Sequence, residues 1–96
     1  MKNNLRKIHQ EKKDIQTALL KTVEEGKVVS LQIKKGKVLK EHVSKTPAIL
    51  ICINGKALYE EESRKIKLKN GSYVMIEPDV KHKVTAIKKS NFILIK

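Results

Sequence analysis

His42 lies between two glycine turns, Gly36 and Gly55, and His82 closes a second strand-and-turn unit that begins at Gly71. Two imidazoles facing one cavity can hold a divalent ion such as Zn²⁺, Fe²⁺, Ni²⁺, Cu²⁺ or Mn²⁺. They do so only weakly, because catalytic metal sites generally use three protein ligands. The plainer role for both is that of pocket or core histidines satisfied by hydrogen bonds. Cys52 could add a soft ligand or a reactive thiol, yet a lone cysteine in an apolar run reads first as a small buried hydrophobe. His9 belongs to a polar leading segment and is not expected at the site. Glu41 should face away from His42 on a strand, and Glu60-Glu61-Glu62, set among lysines, reads as a charged hairpin tip. No nucleophile elbow, phosphate-cradling glycine loop or zinc-finger spacing is present.

The elements that must position these residues are short and extended. Val29, Leu31 and Ile33 alternate with Ser30 and Gln32, the period of a half-buried strand. Ala48 to Ile53 is apolar on both faces, so it predicts a strand covered on two sides. Asn54-Gly55 and Asn70-Gly71 carry the chemistry of two-residue hairpin turns, with positive φ at both central positions. Pro47 and Pro78 break the chain at strand ends. Eight or more strands, with turn signals every few residues, predict an all-β antiparallel barrel or sandwich spanning residues 16–96. Residues 1–15 read as a polar N-terminal arm, either frayed or a short amphipathic helix. If His42 points inward and Pro47 preserves the register, Ser44, Ala48, Leu50 and Cys52 point inward with it. The expected pocket then holds two imidazoles, a hydroxyl and an aliphatic wall, with Tyr73 and Lys40 as further polar contacts.

Ninety-six residues make one domain, and with only Tyr59, Tyr73 and Phe92 as aromatics its core must be aliphatic. The longest apolar run is far shorter than the roughly 20 residues of a membrane-spanning helix, so no membrane span is expected. The basic start lacks the apolar stretch of a secretory signal, and Cys52 has no partner for an internal disulfide, so a cytoplasmic location is expected. The net charge of +12 attracts polyanions. Lysine greatly outnumbers arginine, and aromatic stacking platforms are absent, which disfavours nucleic acid as the partner.

The run from Gly36 through His42 to Gly55 resembles the first motif of the cupins, and Gly71 to His82 resembles the second. The likeness covers residues 27 to 96 and implies a double-stranded β-helix, a jelly roll of two packed antiparallel sheets. Cupins typically carry a metal on two histidines and a glutamate from the first motif and one histidine from the second. The first and last of these fall on His42 and His82, whereas the second histidine position falls on Ser44 and the glutamate position near Ala48. The resemblance therefore implies a partly degenerate metal site. It also implies a small cupin that binds a small molecule, with His42, Ser44, Ala48, Leu50, Cys52, Tyr73 and His82 about the pocket. The alternatives are a metal-dependent dioxygenase or isomerase using His42 and His82, and an interaction module for an acidic partner. The resemblance and the two-faced apolar strands Ala48 to Ile53 and Phe92 to Ile95 together imply a homodimer.

Overall fold

A computed structural model describes residues 4–6, 8–9, 12–23, 26–43 and 45–96, without the side chains of residues 23, 41 and 42. Nine strands follow in chain order: β1 (Ile15–Val23), β2 (Gly26–Ile33), β3 (Val38–His42), β4 (Ala48–Asn54), β5 (Lys56–Glu61), β6 (Lys65–Lys69), β7 (Tyr73–Ile76), β8 (His82–Ala86) and β9 (Ser90–Ile95). They build a five-stranded sheet in the order β1-β2-β9-β4-β7 and a four-stranded sheet in the order β3-β8-β5-β6, each wholly antiparallel. This is the all-β jelly roll that the strand pattern predicts.

Two-residue periodicity explains how the sheets pack. Ala48, Leu50 and Cys52 alternate inward on β4, Ala57 and Tyr59 on β5, and His82, Val84 and Ala86 on β8; all are buried. Leu31, Ile33 and Phe92 complete the layer between the sheets with Leu68, Val74 and Ile76. The edge strand β6 sets Lys65, Lys67 and Lys69 toward solvent, a charge pattern that blocks edge-to-edge pairing.

The two Asn-Gly turns are not hairpins. β4 and β5 lie in different sheets, as do β6 and β7, so Asn54-Gly55 and Asn70-Gly71 are corners where the chain passes from one sheet to the other. Within each of these two turns only the glycine takes positive φ, +115° at Gly55 and +84° at Gly71. At Gly55 the reason is close approach: a Cβ there would lie 2.3 Å from Ser90 Oγ and 2.7 Å from the Lys89 carbonyl oxygen. Ser90 Oγ accepts from the Lys56 amide at 3.0 Å, and its proton lies between the carbonyls of Lys88 (2.7 Å) and Lys56 (3.1 Å). The consecutive strands that do pair are β1 with β2 and β5 with β6.

Among the described residues the leading segment forms no helix, and β1 begins at Ile15. Part of that segment is docked rather than frayed. His9 is buried, and its Nε2 lies 2.7 Å from the buried Ser30 Oγ on β2.

Candidate ligand pocket

Strand register brings the two histidine units together. His42 on β3 is the backbone partner of His82 on β8, across a bulge that follows Leu39. His82 is 4% exposed. Its Nδ1 is 3.0 Å from the Val80 carbonyl, which can only accept, so Nδ1 carries the proton. The ring lies 5.7 Å from that of Tyr59, tilted by 33°.

Beside it stands a network absent from the sequence reading. On β5, Glu61 opposes His82, and Tyr59, two residues back, shares its face. Tyr59 is fully buried and donates its phenol proton to Glu61 Oε2. Arg64 donates from Nε to Glu61 Oε1 and from Nη2 to Oε2, both at 2.9 Å, and from Nη2 to the Met75 carbonyl at 2.7 Å. Its guanidinium carbon lies 5.8 Å from the Tyr59 ring centre. The Arg64 hydrogen bonds hold the Glu61 carboxyl below its ordinary range, while burial, reinforced by Glu61, pushes the Tyr59 phenol above its own. At neutral pH the group is thus a neutral phenol, a carboxylate and a guanidinium. Both carboxylate oxygens are engaged, which makes Glu61 a structural anion rather than a general base. The expectation of a charged tip holds for Glu62, which is exposed, but fails for Glu61, whose side chain is 6% exposed. The signals were Tyr59 and Glu61 at strand spacing, and Arg64 across the tight turn.

The other sequence-predicted residues scatter. Ser44 lies outside the described residues, and of His42 only the backbone is described. Ala48, Leu50 and Cys52 are packed in the core, and burial pushes the Cys52 thiol upward, keeping it a neutral hydrophobe. Tyr73 is 63% exposed, because β7 turns Val74 and Ile76 inward and so sends Tyr73 and Met75 to the outer face. Among the described residues no group of three His, Cys, Asp or Glu side chains converges. With Ala48 buried at the glutamate position and Glu61 held by Arg64, these residues do not fit a complete metal shell.

A groove of about 530 Å³ opens between the inner face of the larger sheet and β3. The larger sheet carries one strand more than the smaller, and its β1–β2 end contributes Leu19, Val29 and Leu31 to the groove wall. Leu94 of β9 and Leu39 of β3 complete the apolar wall. Lys27, Lys40 and Lys96 line the same groove, with Thr17. Lys27 and Lys96 are placed side by side by reciprocal backbone hydrogen bonds at the end of the β2–β9 ladder. Of these residues only Lys40 was expected at a pocket.

No family model matches the chain, and no curated protein matches it. Solved structures do. An RmlC-like cupin protein from Desulfovibrio desulfuricans superposes with a TM-score of 0.84 at 18% identity, covering 97% of this chain and 91% of its own. A cupin superfamily protein from Desulfitobacterium hafniense gives 0.80 at 13% identity, covering 85% of this chain and 75% of its own. A cupin-like protein from Thermotoga maritima gives 0.78 at 27% identity, covering 85% of this chain and 67% of its own.

Proposed function

The chain folds as a small cupin domain, and from that premise we propose that it binds a small amphipathic organic anion in the groove between β1, β2, β9 and β3. One observation carries the reading: five aliphatic side chains line a concave wall that, among the described residues, also holds three lysines and no acidic side chain. A volume of about 530 Å³ suits a small organic molecule. Each methylene buried on that wall contributes about 0.8 kcal/mol. An acidic head at Lys27, Lys40 or Lys96 fixes the direction of entry.

The test is calorimetric titration with a medium-chain carboxylate and with the alcohol of the same length, followed by backbone amide shifts. The expected result is carboxylate binding that perturbs Val29, Leu39 and Leu94, is lost in Leu39→Asp, and is weakened in Lys27→Ala. Equal binding of the alcohol would remove the anionic half of the reading, and no binding of either would remove all of it. The competing reading is a metal-dependent dioxygenase or isomerase using His42 and His82. It requires about one ion per chain after supply of Zn²⁺, Fe²⁺, Ni²⁺, Cu²⁺ or Mn²⁺, abolished in His82→Ala.

A homodimer through the outer face of the larger sheet is part of the same proposal. Ile49, Ile51, Ile53, Tyr73, Met75, Ile93 and Ile95 alternate onto that face, and several are exposed. In a chain of net charge +12, this uncharged apolar surface is where two copies can meet without lysine repelling lysine. Sedimentation equilibrium should return twice the chain mass for the wild type and the single-chain mass for Met75→Lys.

A further inference from the structure

The corner that links β4 to β5 lies beneath two adjoining hollows of about 400 and 560 Å³. Arg6 and Asn54 line both. Lys89 joins them in the first hollow, and Lys56, Lys69 and Lys88 in the second. Among the described residues neither lining contains an acidic side chain, and none of these five cations forms an ion pair.

The fold also fixes the polarity of the amides there. Gln16 Nε2 donates to Gln32 Oε1 (3.3 Å), Gln32 Nε2 to Asn91 Oδ1 (2.9 Å), and Asn91 Nδ2 to Asn54 Oδ1 (3.0 Å). This one-way relay across β1, β2, β9 and β4 ends with the Asn54 oxygen engaged and its NH₂ left as a donor. At the second corner, Asn70 Oδ1 accepts from the Gly55 amide at 2.8 Å, again leaving an NH₂ donor at the hollow. The two asparagines that line the second hollow therefore offer donors to a ligand, alongside its four cations. Donors and cations without carboxylates suit an anion rich in acceptor oxygens.

We propose that this corner, centred on Asn54, Gly55 and Asn70 with Arg6, Lys56, Lys69 and Lys88, binds a small ligand carrying two or more phosphate groups. A single phosphate would engage only part of so many cations. Hollows of a few hundred cubic ångströms, with no aromatic side chain in their lining, match a small molecule better than an extended nucleic-acid strand. The proposal is independent of the groove, since the two linings share no residue.

The experiment is titration of the full chain at fixed ionic strength with tripolyphosphate, pyrophosphate and orthophosphate, and with a short single-stranded oligonucleotide. Tripolyphosphate should bind most tightly and shift the amides of Gly55, Lys56, Asn70 and Lys88. Lys69→Ala and Lys88→Ala should each weaken it by about tenfold, the loss of one charge-assisted contact, while Lys27→Ala in the groove leaves it unchanged. Asn54→Asp keeps the acceptor that Asn91 needs while it removes the donor and adds a negative charge facing the ligand, so it should weaken binding while the melting temperature holds. Equal weakening by Lys27→Ala would overturn the proposal in favour of delocalised charge. Tighter binding of the oligonucleotide through the same residues would overturn it in favour of a nucleic-acid surface, and absence of tripolyphosphate binding would overturn it outright.

Discussion

The corner around Gly55 and the cluster around Tyr59 are held together by different physics. At the corner, backbone groups meet the neutral side chains of Ser90 and Asn70, and the Asn91 amide meets that of Asn54, in contacts that neither pH nor salt readily alters. At the cluster, one carboxylate ties Tyr59 to Arg64, so the packing there depends on a charge. The corner and the groove both hold lysines, yet the corner surrounds its cations with amide donors while the groove sets its own against aliphatic walls. Neighbours, more than lysine count, decide which anion each can select. The corner should therefore fail by sterics and the cluster by charge.

The largest expected effect is at the corner. Gly55→Ala forces an L side chain to φ +115° and into contact with Ser90 Oγ and the Lys89 carbonyl, and it should cost about 3 kcal/mol or more. Gly71→Ala, at φ +84° with nothing within 4 Å of the added carbon, should cost only about 1 kcal/mol. Urea unfolding of the pair measures the difference. Equal midpoints would show that the close approach to Ser90 carries no weight.

At the cluster, Glu61→Ala strips a fully buried phenol of its acceptor and leaves Arg64 without its carboxylate, a loss of about 1–3 kcal/mol. Glu61→Gln keeps an acceptor and should lose less. The pH dependence has a definite sign. The Glu61 carboxyl lies lower in the folded chain than its unfolded value of about 4.3. As pH falls, the unfolded chain therefore takes up this proton first. The contribution of Glu61 is complete above about pH 4.3 and is lost as pH drops through its lowered folded value. Thermal melts of the wild type and Glu61→Gln should differ at neutral pH and converge in acid, whereas the cost of Gly55→Ala should stay constant over the same range. Parallel pH profiles for the wild type and Glu61→Gln would erase the distinction between the two regions.

Much of the fold was legible because strand alternation and glycine or proline punctuation are local signals. They located the strands and the inward set Ala48, Leu50 and Cys52. The same local chemistry misled at Asn54-Gly55 and Asn70-Gly71, because Asn-Gly suits a hairpin and a corner between sheets alike. Which one forms is decided by β9 lying beside β4, a pairing of residues some forty positions apart. Tyr59, Glu61 and Arg64 were hidden for a related reason: their association requires knowing that β5 turns that face inward. Tyr73 was misplaced by lacking the phase of β7, since a one-residue shift exchanges its inner and outer faces. The groove was not legible from any single strand, because its wall draws on β1, β2, β3 and β9 together.

The smallest expected effect concerns the docked leading segment, which carries Arg6 toward the corner. His9 Nε2 sits 2.7 Å from Ser30 Oγ, and burial lowers the imidazole below its ordinary value of about 6.5. The unfolded chain therefore protonates at His9 before the folded chain does, and stability rises with pH across that interval. The His9 contribution is complete above about pH 6.5, declines as pH falls below it, and stops changing once the lowered folded value is passed. Removing the contact in His9→Ala should cost about 1 kcal/mol at pH 7.5, and the gap to the wild type should narrow by pH 5. Proton NMR of the His9 ring reads the titration directly: a midpoint below that of a histidine in the unfolded chain supports the docked arrangement, and an ordinary midpoint contradicts it. Because Arg6 lies three residues before His9, the same acidification should loosen one cation of the corner while Lys56, Lys69 and Lys88 stay in place on strands and corners that His9 does not touch.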